Sequence, residues 1–153
     1  MMDNKGQLAL EYLLIFFIFI IILSVISIPL LTDSIESTED MTKAVETKNF
    51  LTEIQKNVKL IYSLDVGSKR TFSVYVPCDM NLNSNFTSYN VRTTLTLSDN
   101  TRKTISVDMP CKVSFNGNIN YYYVSLKKGW YYNTEVKWYT SSSGERSINV
   151  NFK

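Results

Sequence analysis

Residues Lys5–Leu31 read KGQLALEYLLIFFIFIIILSVISIPLL, and between Tyr12 and Thr32 no side chain carries a charge. Wound as a helix, Tyr12 to Leu31 spans ~30 Å, the thickness of a bilayer's hydrocarbon core. Ser24, Ser27 and Pro29 interrupt the apolar run, all near its far end. A cleaved secretory signal has a shorter apolar core followed by a small-x-small site. Here the core is too long, and Ser24-Val25-Ile26-Ser27 is a poor imitation of that site. The stretch therefore predicts a membrane span. Its oddity is Glu11, at the mouth of the run, because a carboxylate entering a bilayer costs ~2.5–3.5 kcal/mol even on the gentler insertion scales.

Flanking charge gives the orientation. Lys5 and the amino terminus precede the run, while Asp33, Glu36, Glu39 and Asp40 follow it with no base before Lys43. Basic flanks stay in the cytoplasm, so the expected topology is N-terminus in and bulk of the chain out.

Beyond Pro29 the pattern becomes amphipathic. Ala44, Leu51 and Val58 fall seven apart and interleave with Ile54 and Ile61, which makes one apolar stripe on a helix. Asp33-Ser34-Ile35-Glu36 resembles a capping box, so a helix restart is expected there. Gly67 is the expected stop. Unbroken, a helix from Gln7 to about Leu64 would run ~85 Å. Pro29 should kink or loosen it, since proline removes a backbone donor and crowds the preceding turn.

Composition narrows the function. Segment 7–64 holds four bases against seven acids, and 65–153 holds eleven bases against six acids. There is no histidine, which removes the commonest general base and metal ligand. Two cysteines are too few for a Cys/His zinc site. Walker-type loops, Gly-x-Ser-x-Gly elbows and His-Glu-x-x-His are absent from the sequence. The expectation is a protein that is not an enzyme and has no cofactor or metal.

Residues 69–153 alternate as strands do. Phe72/Val74/Val76, Val91/Thr93/Leu95/Leu97, Ile105/Val107/Met109, Tyr122/Val124/Leu126 and Ile148/Val150/Phe152 each interleave with other residues at period two. Ser98-Asp99-Asn100, Asn116-Gly117, Lys128-Gly129 and Ser141-Ser142-Ser143-Gly144 are turn signals. Six or seven short strands in an antiparallel sheet or sandwich are expected, with one face receiving the helical stripe. The predicted class is α+β, divided as 1–6 leader, 7–31 hydrophobic helix, 32–66 amphipathic helix and 67–153 β-rich head.

Arg70–Cys78 (RTFSVYVPC) echoes Lys103–Cys111 (KTISVDMPC) at an offset of 33. Both strands end in Pro-Cys. Outside the cell a Cys78–Cys111 disulfide is the default expectation, stabilising by ~3–4 kcal/mol in the chain-entropy picture; two free buried thiols are the alternative. Tyr121-Tyr122-Tyr123, Trp130-Tyr131-Tyr132 and Trp138-Tyr139 form an aromatic cluster beside Lys127, Lys128 and Lys137. Alternate members are expected in the core, and the rest supply an adhesive or subunit-contact surface. Nucleic acid, which such patches also bind, is the weaker reading.

Lys5-Gly6-Gln7-Leu8-Ala9-Leu10-Glu11-Tyr12-Leu13 resembles the class III signal peptide of archaeal type IV pilins. The resemblance implies prepilin peptidase cleavage between Gly6 and Gln7, with Glu11 as the fifth residue of the mature chain. Ala9 replaces the favoured serine and Ile15 the favoured leucine, and Pro29 lies where pilins often carry a helix-loosening proline. The resemblance covers about residues 5–60 and is specific in its first ten. It implies a helical homopolymer, assembled with a separate ATPase and membrane platform, and a role in adhesion. The new amino group of Gln7 in one subunit would meet Glu11 of another. Surface glycosylation in this family points to Asn85-Phe86-Thr87, the only sequon, in a polar stretch Asn81–Asn90 read as an exposed loop. The alternatives are a low-copy pilin-like subunit, an archaellin (which generally lacks the acid at Glu11), or a single-span anchored binding domain that never polymerises.

Overall fold

The computed structural model describes residues 4–116, 122–140, 144 and 146–153, with side chains from Ala9 onward. Gly117, Tyr121 and Ser141-Ser142-Ser143, read above as turn or aromatic-cluster residues, lie outside the described residues.

One helix, α1, runs from Asn4 to Tyr62 with Pro29 inside it. The expected restart at Asp33 does not occur. Ser34 instead donates its hydroxyl back to the Leu30 carbonyl at 2.8 Å, so the capping-box residues sit mid-helix. Ser24, Thr32 and Thr38 make the same four-residue back-bond, to Ile20, Ile28 and Ser34. A hydroxyl satisfied by its own helix needs no water, which suits an apolar surrounding.

The chain divides into two compact units, Met1–Glu39 and Asp40–Lys153. The described part of the first is α1 alone. The second holds the rest of α1 and two four-stranded sheets. The strands are β1 (Lys69–Tyr75), β2 (Met80–Asn85), β3 (Asn90–Thr96), β4 (Arg102–Asp108), β5 (Val113–Phe115), β6 (Tyr123–Leu126), β7 (Tyr131–Thr140) and β8 (Arg146–Phe152). The first sheet is ordered β1-β7-β8-β5 and the second β4-β3-β2-β6. The second is antiparallel throughout, whereas β5 pairs with β8 in parallel, so the head is mixed and not purely antiparallel.

The core is where α1 meets the sheets. Leu51, Ile54, Val58 and Ile61 are buried as their spacing predicts, joined by Phe50 and packed with Val76, Leu82, Val91, Phe115, Val136 and Ile148; Ala44 packs partly buried against this cluster. The helix ends under Trp138, whose indole N–H donates to the carbonyls of Ile61 (3.0 Å) and Leu64 (3.3 Å). The Ile61 carbonyl, in the last turn of α1, also accepts the Leu64 N–H at 3.1 Å, and Leu64 lies just past the helix end. Gly67 then takes φ +102°, a left-handed backbone that supports the turn into β1.

The echo at offset 33 has a structural counterpart. β1 and β4 are each an edge strand of one sheet, and each leads through Pro-Cys into the other sheet. Phe72, Val74 and Val76 correspond to Ile105, Val107 and Met109, and all of them belong to the core or pack against it. Helix side chains treat the two edges differently. Lys48 Nζ donates to the Ser106 carbonyl and Gln55 Nε2 to the Asp108 carbonyl, covering backbone acceptors of β4. Against β1 an open groove of about 610 Å³ remains, lined by Asn49, Glu53, Lys56, Leu60 and Arg70 among others.

Candidate functional site

The apolar half of α1 is the feature that folding leaves unsatisfied. From Leu10 to Leu31 every large apolar side chain is exposed, from 43% at Ile20 to 71% at Tyr12. The helix is long and apolar enough to cross a membrane. A continuous apolar surface on all sides of a helix belongs in lipid or among other helices. Gly6 and Gln7 lie in the first turns of this helix, and Glu11 follows on its exposed surface. Glu11 makes no ion pair with any described residue. Pro29 leaves the helix continuous while depriving the Val25 carbonyl of its usual donor.

Where the two units adjoin in sequence, the head holds the helix by its own polar contacts. Asp40 accepts the Ser98 backbone N–H at 2.8 Å and the Ser98 hydroxyl at 3.0 Å. Lys43 lies 3.5 Å from the same carboxylate. The Ser98 N–H, more than any other influence, holds the Asp40 carboxyl below its ordinary value. Ser98 begins the β3–β4 turn that the sequence marks, in which Asp99 accepts from the Thr101 hydroxyl and N–H and Asn100 takes φ +61°.

Cys78 and Cys111 are not bonded to each other, contrary to the default expectation. Both are free thiols of intermediate burial. Cys78 Sγ lies 3.4 Å from the Thr47 hydroxyl on α1. Burial pushes the Cys111 thiol up to about 11, which leaves it protonated and weakly nucleophilic at neutral pH. Each cysteine follows its own edge strand at the crossover and packs against the core.

Asn85 is not in a loop spanning 81–90, as the sequence reading had it. It is the last residue of β2, and its Oδ1 accepts the backbone N–H of Thr87 (2.9 Å) and of Ser88 (3.3 Å). That geometry shapes the β2–β3 turn without engaging the amide nitrogen. Phe86, inside the sequon, meets Tyr122 edge-on at 5.1 Å.

The aromatic cluster divides differently from strict alternation. Tyr132 and Trp138 pack against the core, but Tyr122 and Tyr123 are both exposed, and Tyr122 precedes β6. Trp130, just before β7, and Tyr131, its first residue, are exposed, and the Tyr131 ring meets Tyr75 of β1 tilted at 48° with centroids 5.0 Å apart.

Residues 4–30 match the family model of the class III signal peptide. The match supports a type IV pilin-like precursor. Its signal is of the kind carried by type IV pilin-like and archaellin-like secreted subunits, and it implies processing by prepilin peptidase and handling by pilus assembly machinery. No curated protein and no solved structure matches the chain. From Ala9 onward, the matched segment is the one whose apolar surface nothing in the described chain covers.

The sequence reading passed over β2. Met80, Leu82 and Ser84 are buried, with Asn81, Asn83 and Asn85 between them. The period-two signal was present, but asparagine's poor strand propensity masked it. With β2 in place, the second sheet presents a polar outer face that no loop reading brings together.

Proposed function

We propose that the chain is the structural subunit of a type IV pilus-like surface filament of the archaeal kind. It is made as a membrane-anchored prepilin with the head outside, cut between Gly6 and Gln7, and polymerised through α1. The observation that carries this is the overlap of a class III signal at 4–30 with a helix whose large apolar side chains are all exposed from Leu10 to Leu31. Lipid covers that surface before assembly, and copies of the same helix cover it afterwards. Because leucine-rich helices and acyl chains are about equally apolar, little hydrophobic free energy separates the two states. Extraction then needs work from a separate ATPase and membrane platform, since the sequence carries no Walker-type loop. The subunit is structural and not catalytic.

Glu11, exposed and unpaired within the described chain, is the assembly residue, meeting the Gln7 amino group of a neighbouring copy. Asn85, at a turn with its amide nitrogen not engaged by the turn, is the glycan acceptor. The exposed Tyr75–Tyr131 pair with Trp130 supplies a contact surface for adhesion or for the next subunit. An archaellin-like role shares the signal, but Glu11 favours the pilin. Electron microscopy of cells with and without this chain tests the proposal: filaments should vanish on deletion and return on complementation. Unchanged filaments would exclude a role as the main subunit.

A further inference from the structure

The outer face of the second sheet carries chemistry that α1 does not use. Strand register sets its side chains in rows. Asn83 lies opposite both Arg92 and Tyr123, Asn81 opposite Ser125, and Thr94 opposite Thr104. In β3, Arg92 and Thr94 are exposed while Val91, Thr93 and Leu95 are buried, which places this set on the face turned away from the core. Together Asn81, Asn83, Arg92, Thr94, Thr104 and Tyr123 line an open cleft of about 460 Å³. The cleft stands on paired strands, and the Thr94 and Thr104 hydroxyls lie 3.3 Å apart across it.

The composition of this cleft restricts its ligand. It has no carboxylate, so a cation finds no counter-charge. Its one positive charge is too few for a polyanion, whose binding depends on several phosphate or sulfate contacts. Apart from the Tyr123 ring its lining is polar, so it lacks the cluster of apolar anchors on which protein docking depends. What remains is a plane of amides and hydroxyls that both donate and accept, one forked guanidinium, and a half-exposed phenol at the rim. A neutral ligand dense in hydroxyl groups, with C–H faces to lie against Tyr123, fits that inventory. We propose that this cleft binds a neutral oligosaccharide. The proposal needs neither leader cleavage nor polymerisation, so it is testable on the unassembled chain and stands apart from the filament reading.

The test is saturation-transfer NMR on the full-length chain in a zwitterionic detergent, because sugar-headed detergents would compete. The probes are maltotriose, mannotriose, cellotriose and chitotriose, with a heparin disaccharide as the polyanionic comparison. Transfer to at least one neutral trisaccharide is expected. Arg92→Ala and Asn83→Ala should each weaken binding ~10-fold, and Lys69→Ala, which removes an exposed cation from β1 of the other sheet, should leave it unchanged. Asn81→Asp, nearly isosteric and solvent-facing, should also weaken binding, and it decides the matter if a truncated variant melts early. Three results would overturn the proposal: no transfer to any of these sugars, a salt-sensitive preference for heparin, or sugar binding lost in Lys69→Ala yet kept in Arg92→Ala.

Discussion

Glu11 is the residue on which the assembly reading turns. A carboxylate this close to an apolar span is tolerated at an interface, where it reaches water, but inside a helix bundle it needs a cation. Removing one partner of a desolvated pair costs ~3–5 kcal/mol, because the other charge is left behind. Glu11→Ala should therefore leave leader cleavage intact while lowering filament yield at least ~10-fold, read by immunoblot of sheared surface material. Normal yield would remove the pairing role. Asp40 makes a separate prediction about acid. Its folded carboxyl lies below the ordinary 3.8, chiefly through the Ser98 N–H. A depressed acid stabilises the fold above its unfolded value, and that contribution fades as pH falls through the folded value. Melting temperature should thus drop as pH falls below 3.8, and Asp40→Asn should flatten that part of the curve. Cys111, pushed up to about 11 by burial, should alkylate slowly at pH 7 in the folded chain. The rate should climb with pH toward 11, and denaturant should abolish the protection. Rapid labelling of the folded chain at neutral pH would show the site to be open.

At the scale of elements, legibility followed burial. The stripe Leu51, Ile54, Val58 and Ile61 was readable because the same spacing that marks a helix face also marks what it buries. Five strands were readable by alternation. β5 is too short to carry a period, and β7 mixes Lys137, Glu135 and aromatics along a strand whose buried positions are few. Yet β7 is the strand that ties β1 to β8, through a register running Lys69↔Lys137 on one side and Thr134↔Phe152 on the other. Long-range pairing placed it, not local pattern. The parallel β5–β8 contact was illegible for the same reason. The misplaced capping box at Asp33 shows the converse: a motif that starts a helix in water is overridden when helix already precedes it. Ile54 tests how the head depends on the stripe. Ile54→Ala should destabilise the head by ~2–5 kcal/mol in denaturant melts of the detergent-solubilised chain. Ile20→Ala, at an exposed position of the apolar half, should change it by under ~0.5 kcal/mol. Equal effects would mean that the head's core is not centred on the second half of α1.

The whole molecule joins two units that different surroundings satisfy. Asp40–Lys153 buries its own core, whereas the described residues of the first unit are helix whose apolar surface stays open. The sequence announced the second fact in its first lines, through length, hydropathy and the Gly6-Gln7 context around Glu11. It could not announce the polar cleft on the outer face, because that cleft exists only once four strands are in register. The account rests on α1 serving first as a lipid anchor and then, with its leader removed, as the joint of a polymer. N-terminal mass spectrometry of filaments sheared from the cell surface tests this most directly. The account predicts a peptide beginning at Gln7; a surface form that still begins at Met1 or Met2, with none of the chain in the fibres, would contradict it.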